Sequence, residues 1–531
     1  MESWSTEGKS KKFFRKHVWG TLDMIRVIFT DKSTWKEVMK LDKKTGLDPE
    51  NIKIRPIDGL PASENIFPGY WLWSKVTRNL SAIGYDTNTM YIASYDWRLT
   101  LDNLEKRDHY FSRLKSHIEG TTLGTGRKSV VIGHSMGSTV LYYFLKWVES
   151  PEGGNGGDQW VENHIEHFVN IGGALLGVPK ALPSLLAGEN RDILTMGKIA
   201  FSLFERFFCQ SERMELFRNW ASSAMMLPRG GNVIWGDENG APDDDDSVTM
   251  DQGAKADKSL GTMISFAPAQ PNVNLHHNPQ PNQSLKQQAS LANHTLEAAM
   301  DLLLDTASPE YASILQNNYS FSITTSKKQL EANDHIPRTW ANPLETRLPN
   351  APSLKVFCLY GVGIMTERSY LFGSHDYRKQ LHEGDTTCQA YGDVADTTGS
   401  TSPVSLFIDT SITDHSQNID KGVRLTNGDK TVPIVSNGYM CASSGGWTKH
   451  ADLYNPGHST IIGREYQNRD TKVPPRNRGA PTSARHVELL GNNDLLLDLL
   501  QIVSNHSERI TSRAFSKIET VAQRISLEHQ E

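Results

Sequence analysis

The sequence predicts a mixed α/β fold, in which helices pack on a sheet of parallel strands. Residues 128–132 read as a short buried strand, and residues 138–148 carry apolar side chains at helical spacing. Both patterns return later, as a strand at Leu354–Tyr360 and a helix at Asp494–Val503. With 531 residues, of which 37% are hydrophobic, the chain can form a large enzyme core plus an inserted domain.

Between the first strand and its helix lies the pentapeptide Gly133–Gly137, which has the pattern G-x-S-x-G. A tight turn with small residues at both ends presents the Ser135 hydroxyl at the carboxyl edge of a parallel sheet. The backbone N–H of Met136, at the start of the helix, can then face an oxyanion beside the serine. The pentapeptide alone is a weak signal, but its position between strand and helix predicts a nucleophile elbow.

A serine nucleophile needs a histidine that takes its proton and an acid that orients the histidine. In α/β-hydrolases the acid and then the histidine follow the serine along the chain. Asp429 lies in the turn Asn427–Pro433, and His486 lies in a loop before the last long helical pattern. Order and spacing leave other candidates open, namely Asp409, Asp414, His415, His458 and, more weakly, Asp470.

Several separated motifs follow one another along the chain: Tyr95–Leu99, Gly133–Gly137, Asn170–Gly173, Leu176–Lys180, Cys358–Gly363, Gly428–Pro433 and His486. Together they resemble the lecithin:cholesterol acyltransferase family. A second set resembles the phospholipid:diacylglycerol acyltransferase branch of that family; it comprises Trp19-Gly20, Thr45–Pro49, Gly69–Trp73 and Lys146–Glu149. The resemblance spans nearly the whole chain.

The resemblance implies an α/β-hydrolase fold with an inserted cap domain and an N-terminal excursion close to the membrane. It implies Ser135 as nucleophile, Asp429 as orienting acid and His486 as general base. It also implies a disulfide between Cys358 and Cys441. The two remaining cysteines, Cys209 and Cys388, stay unassigned, and without the resemblance four buried thiols are an equal alternative.

The family also carries segments ahead of the point that matches Met1–Trp4. These are a membrane anchor and an apolar strand of the central sheet, which ends in a Pro-Gly loop. That loop supplies the second backbone donor of the oxyanion hole, and losing one such donor costs about 10²–10³ in rate. The printed sequence therefore predicts an incomplete N-terminus or, alternatively, a chain with weak or absent activity.

We expect four regions. Residues 1–80 form the N-terminal excursion, which packs on the core; residues 81–183 hold the first part of the core with the elbow. Residues 184–350 form the cap, which walls the acyl tunnel, and residues 351–531 hold the second part of the core with the acid and the histidine. Within the cap, residues 237–286 are rich in Asp, Pro, Gln and Asn and poor in large apolar residues, which predicts disorder.

Smaller elements follow from local patterns. Met90–Ala93 reads as a strand, Leu104–Gly120 as one helix, and Ser405–Ile408 as a hairpin arm. We expect a nearby carboxylate to fix Arg98, while Asp96 is equally a structural or a catalytic candidate. Asp243–Asp246 predicts a solvated acidic loop rather than a metal site. No P-loop pattern or zinc-ligand spacing is present, so no metal or nucleotide cofactor is implied.

Charge and hydropathy constrain the partners. The formal net charge of −6 argues against a nucleic-acid partner. The dense basic cluster Lys9–His17 interleaves cations with aromatic rings, which is typical of membrane-surface segments and equally of a solvated helix end. The sequence contains neither a run of 18 apolar residues nor a signal-peptide pattern, so the chain as printed predicts no membrane span.

The resemblance places a full-length form at the lumenal face of the endoplasmic reticulum membrane. Five N-x-S/T sequons are compatible with that compartment: Asn79, Asn282, Asn293, Asn318 and Asn505. The implied activity moves an acyl group from a phospholipid to diacylglycerol, without acyl-CoA, giving triacylglycerol and lysophospholipid through an acyl-serine. Tyr70, Trp71 and Trp73 are candidates for an acceptor site that excludes water, or simply fill the core. A phospholipase or lipase and a catalytically silent homologue remain the alternatives.

Overall fold

The computed structural model describes residues 1–60, 65–67, 70–195, 205, 208–245, 259–266, 293–373, 406–469 and 481–527. Its strands are β1 (Glu2–Ser3), β2 (Ile54–Arg55), β3 (Asn65–Phe67), β4 (Tyr70–Trp71), β5 (Ser129–His134), β6 (Ile165–Ile171), β7 (Ile264–Phe266), β8 (Lys355–Val362), β9 (Ile364–Gly373), β10 (Phe407–Ile408), β11 (Ile419–Asp420), β12 (Val423–Gly428) and β13 (Thr460–Gln467).

The α-helices of the first half are α1 (Leu22–Met39), α2 (Ser74–Ala82), α3 (Leu101–Asp108), α4 (Tyr110–Thr125), α5 (Met136–Glu149), α6 (Trp160–His164), α7 (Ala181–Ala187), α8 (Arg191–Leu194), α9 (Gln210–Asn219), α10 (Ala221–Met225) and α11 (Gly231–Trp235). Those of the second half are α12 (Leu296–Thr306), α13 (Pro309–Asn318), α14 (Lys327–Asn333), α15 (Ile434–Gly438), α16 (Gly446–Lys449), α17 (Ala451–Tyr454), α18 (Asn493–Val503) and α19 (Ile518–Arg524).

Four parallel strands form the central sheet, in the order β13-β8-β6-β5. Strands β6 and β8 are almost entirely buried, as expected for inner strands with helices on both faces. The carboxyl ends of parallel strands meet at one edge, so Ser135 after β5 and Gly172 after β6 lie side by side. The chain is therefore a mixed α/β protein with a parallel central sheet, as predicted, and this arrangement is consistent with an α/β-hydrolase-like fold.

A second sheet continues directly from the first. Its strands run in the order β10-β9-β12-β11, all antiparallel, and β7 pairs with β9 in parallel. Only Gly363, with φ of +90°, separates β8 from β9, so the chain turns from one sheet into the other at a single residue. Asp429 follows β12 and forms a backbone bridge with Ile364, which places it where the two sheets meet.

The N-terminal helix α1 packs against α9, far along the chain. Lys32 and Lys36 each reach Glu212 at 2.9 Å, and Lys40 reaches Glu215 at 2.6 Å. Beside this lysine–glutamate ladder, four tryptophan rings pack together, with centroid separations of 4.8–6.5 Å; they are Trp19, Trp35, Trp97 and Trp220. Charge pairs and aromatic packing therefore both join residues 1–60 to the rest of the protein.

A network of buried charged residues also contacts the end of α1. The fully buried Arg98 binds Asp96 at 2.7 Å and Asp48 at 3.0 Å, and Arg107 binds Asp96 at 2.9 Å. Arg98 also donates to the carbonyl of Met39 at the end of α1. The predicted carboxylate partner of Arg98 is confirmed, and all the contacts of Asp96 in this network are with arginines.

Two predicted elements are wrong. Leu104–Gly120 is not one helix: the chain breaks at His109, whose φ of +49° ends α3, and Glu105 accepts the backbone N–H groups of Phe111 and Ser112 to start α4. Met90–Ala93 is not a strand, because no described neighbour supplies the ladder of hydrogen bonds that a strand requires. Of the predicted hairpin arm, Phe407 and Ile408 pair with β9, while Ser405 lies outside the described residues.

The disorder predicted for residues 237–286 is wrong for residues 237–245 and 259–266. Asp243 forms an ion pair with the buried Arg368, and Asp244 accepts the Ser259 hydroxyl and the Leu260 N–H. These two aspartates therefore bind protein groups rather than water, because a buried arginine and free backbone donors lie opposite them. Asp246 and the remaining residues of 237–286 lie outside the described ranges.

Candidate functional site

The elbow has the backbone geometry that exposes a nucleophile. Ser135 has φ of +56° and ψ of −128°, an unfavourable conformation for a residue with a side chain. A Cβ at Gly133 would lie 2.7 Å from the backbone of Ser138, so only glycine fits there. At Gly137 the nearest atom to such a Cβ is the Tyr95 hydroxyl at 4.0 Å, which leaves space beside the start of α5.

Ser135, His486 and Asp429 come together although the first two are 351 positions apart in the chain. His486 Nε2 lies 2.8 Å from Ser135 Oγ, and His486 Nδ1 lies 2.7 Å from Asp429 Oδ2. Both distances are those of hydrogen bonds. The arrangement has the geometry of a serine–histidine–aspartate triad, in which the histidine can take the hydroxyl proton and the carboxylate holds the ring in the required orientation.

Asp429 is fully buried and its charge is well supported. Its Oδ1 accepts the backbone N–H groups of Thr431 at 2.9 Å and Val432 at 2.7 Å. Burial alone would raise the pKa of the Asp429 carboxyl, but the His486 ring and these N–H donors hold that pKa below its ordinary value. Asp429 therefore stays ionised and can stabilise positive charge on the histidine.

The loop after β6 closes over the acid and the base. Gly172 has φ of +54°, and a Cβ there would lie 3.4 Å from both Asp429 Oδ2 and His486 Nδ1. The conformation and the tight contact both favour glycine. Sequence reasoning assigned no role to this residue, although the Gly-Gly pair directly after an apolar strand was a signal for a close approach.

The other candidate residues lie elsewhere. Asp409 Oδ1 and Asp414 Oδ1 accept hydrogen bonds from Ser411 and Ser416, two residues further along the chain. His415 and His458 are exposed. Asp470 lies outside the described residues. Of the candidates in the described ranges, only Asp429 and His486 reach Ser135 as a connected pair.

The first backbone N–H groups of a helix have no partner within the helix. Met136 opens α5 directly after Ser135, so its N–H is placed to bind an oxyanion formed at that serine. Ser135, Met136 and Gly137 are all partly exposed, which means that a substrate can reach the elbow. Within the described ranges, no group of three His, Cys, Asp or Glu side chains is arranged to hold a metal ion.

The remaining predicted residues have clear positions. Cys358 on β8 is joined by a disulfide to Cys441, Cys209 is a buried free thiol, and Cys388 lies outside the described residues. Trp71 and Trp73 pack with the apolar cluster on the face of the sheet that also holds Leu489. The Tyr70 side chain lies outside the described part of the structure.

Comparison with known sequences places this site in a family. The pattern of the family described as Lecithin:cholesterol acyltransferase matches residues 13–493, which is most of the chain. The chain belongs to the lecithin:cholesterol acyltransferase family. The resemblance recognised from the motifs is thereby confirmed, and all three residues of the triad geometry lie within the matched range.

Within the family, several relatives that match nearly the whole chain are phospholipid:diacylglycerol acyltransferases. The chain is 37% identical to a "Phospholipid:diacylglycerol acyltransferase" of Schizosaccharomyces pombe, over 99% of this chain and 74% of the relative. It is 35% identical to the protein of that name in Saccharomyces cerevisiae, over 98% and 70%. It is 32% identical to "Phospholipid:diacylglycerol acyltransferase 1" of Arabidopsis thaliana, over 95% and 78%.

Among solved structures, the Tle4-Tli4 complex matches with a TM-score of 0.35 and 11% identity, over 79% of this chain and 68% of that chain. A similarity of this strength adds nothing to the family assignment. Across the described ranges, every helix is too short or too polar to cross a membrane.

Proposed function

We propose that this chain is a phospholipid:diacylglycerol acyltransferase. It moves a fatty acyl group from a phospholipid to diacylglycerol, without acyl-CoA, and releases lysophospholipid and triacylglycerol. The observation that carries the proposal is the hydrogen-bonded chain from Ser135 through His486 to the buried Asp429, with links of 2.8 and 2.7 Å. Relatives 32–37% identical over nearly the whole chain supply the substrate class.

In the first half-reaction, Ser135 Oγ attacks the ester carbonyl of the phospholipid while His486 Nε2 takes the hydroxyl proton. The carbonyl oxygen becomes an oxyanion, which the N–H of Met136 binds. The tetrahedral intermediate then breaks its bond to the glycerol oxygen. His486 returns the proton to that oxygen, lysophospholipid leaves, and the acyl group remains as an ester on Ser135.

In the second half-reaction, the free hydroxyl of diacylglycerol attacks the acyl-serine. His486 takes the proton of this hydroxyl, the new ester bond forms, and the proton returns to Ser135 Oγ as triacylglycerol leaves. Water is the competing acceptor at this step, and a site that excludes water favours the alcohol. We assign the exclusion of water to residues 184–350, acting as a cap over the site. Strand β7 belongs to this range and pairs with β9. The first residue of β9, Ile364, forms a backbone bridge with Asp429, which supports a cap close to the triad.

We also propose that residues 1–80 face a membrane, at the lumenal side of the endoplasmic reticulum. Trp4 and Phe14 are 38% and 45% exposed, and the Arg15 guanidinium stacks on Trp4 at 4.4 Å. Lys9 and Lys11, which lie between Trp4 and Phe14 in the sequence, are also exposed. Aromatic rings beside cations suit the interface of an anionic bilayer, and the Cys358–Cys441 disulfide supports an oxidising compartment.

A product assay tests the proposed function. Purified protein is incubated with vesicles that contain diacylglycerol and a phospholipid labelled in its acyl chain, and the label is followed into triacylglycerol and free fatty acid. We expect triacylglycerol as the main product, and neither product from Ser135→Ala. Free fatty acid alone would make the protein a phospholipase, and no product from the wild type would favour a silent homologue.

A further inference from the structure

His134, the residue before the proposed nucleophile, contacts the proposed base. Its Nε2 lies 3.0 Å from the backbone carbonyl oxygen of His486. A carbonyl oxygen only accepts hydrogen bonds, so Nε2 of His134 carries the proton and donates it. The two imidazole rings also lie against each other, with centroids 4.8 Å apart and planes inclined by 38°.

Individual hydrogen bonds, rather than regular secondary structure, hold the loop that carries His486 in place. His486 lies in neither a helix nor a strand, so regular hydrogen bonding does not fix it. Its backbone N–H donates to the Asp429 carbonyl at 2.8 Å, and its ring contacts Asp429 and Ser135. The bond from His134 fixes the carbonyl, which is the remaining polar group of the residue.

His134 is itself held in place. It is the last residue of β5, and the Trp73 indole lies 6.4 Å from its ring, centroid to centroid, at nearly a right angle. Burial, reinforced by the neighbouring His486 ring, lowers the pKa of His134 to about 3, although the hydrogen bond to the His486 backbone and the charge of Asp429 act in the opposite direction. The ring beside His486 is therefore neutral and adds no positive charge when His486 becomes an imidazolium.

We infer that His134 is a positioning residue for the general base, which fixes the His486 backbone through its Nε2–H and supports the His486 ring from one side. The inference rests on the proposed triad. It ties the base to the strand that carries the nucleophile, so Ser135 and His486 are held to one rigid element. Loss of the bond lets the His486 loop shift and lowers the fraction of molecules in which Nε2 faces Ser135.

Two substitutions separate the hydrogen bond from the bulk of the side chain. In His134→Gln the amide nitrogen takes nearly the place of Nε2 and can donate to the same carbonyl. In His134→Asn the amide nitrogen lies near the place of Nδ1 and cannot reach it. The control pair is His167→Gln and His167→Asn, at a buried histidine on the adjacent strand β6 that has no contact with the triad in the described structure.

The readout is the rate at which a serine-directed phosphonate labels Ser135 in the full purified chain, measured together with the melting temperature. This rate depends on the triad and not on the acyl acceptor. We expect His134→Asn to label about tenfold more slowly, the effect of one lost hydrogen bond, and His134→Gln to label within about threefold of the wild type. Both His167 variants keep the wild-type rate.

Two results overturn the inference: His134→Asn at the wild-type rate, or both His134 variants slowed equally. A labelled wild type that makes no triacylglycerol refutes the proposed transfer and leaves the inference testable by the same rates. An unlabelled wild type refutes the triad itself and the inference with it.

Discussion

Asp429 and Asp96 are both fully buried carboxylates, and in both the pKa lies below its ordinary value although burial alone would raise it. Their partners differ. Asp429 faces an imidazole and backbone N–H groups, whereas Asp96 faces the guanidinium groups of Arg98 and Arg107. An imidazole can gain and lose a proton near neutral pH, but a guanidinium cannot.

The comparison shows that a buried charge does not by itself mark an active site. The proton that must move in acyl transfer can be held by His486 but not by Arg98. Asp96 instead holds Arg98, and Arg98 donates to the carbonyl of Met39 at the end of α1. The pair thus joins α1 to the loop before α3. Under the proposed function, Asp429 supports chemistry whereas Asp96 supports assembly, and substitutions at the two sites should affect different measurements.

The largest effect is expected for Asp429→Asn. This change keeps the shape of the side chain but removes the charge and the correct hydrogen bond to His486 Nδ1, so the rate of phosphonate labelling of Ser135 should fall by about 10⁴. Circular dichroism should show an unchanged fold. A loss of less than tenfold would mean that Asp429 does not orient the base.

Next comes Arg98→Met, which leaves Asp96 and Asp48 with less cationic support inside the protein. The free energy of unfolding in urea should fall by about 3–5 kcal/mol, while the molecules that remain folded label Ser135 at the wild-type rate. Arg113→Met, at an exposed arginine on α4, is the control and should change stability by less than about 0.5 kcal/mol. Slower labelling of Ser135 in folded Arg98→Met would mean that the Arg98 network also affects the triad, and would contradict the separation of the two sites.

A third prediction concerns the contribution of the Cys358–Cys441 disulfide to the stability of the fold. The paired substitution Cys358→Ala and Cys441→Ala removes a link between residues 83 positions apart and should cost about 2–4 kcal/mol of unfolding free energy. Adding a thiol reductant should lower the stability of the wild type and leave the double variant unchanged. Cys209→Ala, at the buried free thiol, should still respond to the reductant.

The smallest effect concerns acid. Because the pKa of Asp96 is lower in the folded protein than the ordinary 3.8, its ionisation stabilises the fold above that pH and this contribution disappears as pH falls through the folded value. Unfolding free energy measured between about pH 5 and pH 3 should therefore fall less steeply for the double variant Asp96→Asn, Arg98→Met. Equal slopes would mean that Asp96 carries no such linkage.

The sequence allowed the triad geometry to be predicted because each member had a local or family signal. Ser135 had a strand before it and a helix after it, and the motifs singled out Asp429 and His486 among several candidates. His134 and Gly172 were missed as partners of the base, because their contacts join segments that are distant in sequence. Such contacts depend on how loops fold back on one another and leave no periodic pattern.

The errors in the fold have similar physical causes. The apolar spacing from Leu104 to Gly120 continues through His109, so periodicity alone could not show a break that the Glu105 side chain stabilises. The run Asp243–Asp246 was interpreted from its composition, which cannot reveal that the buried Arg368 comes from β9. Local propensity therefore predicted most elements, while tertiary partners decided where they end and which charges are buried.

The lysine–glutamate ladder between α1 and α9 has a consequence for biosynthesis. Its ion pairs join residues 175–180 positions apart. At a synthesis rate of about 5–20 residues per second, α1 emerges from the ribosome roughly 10 to 35 seconds before its partner exists. During that interval Trp19 lacks its aromatic partner Trp220 and Trp35 lacks Phe208, so the nascent N-terminal segment presents apolar rings that a chaperone can bind.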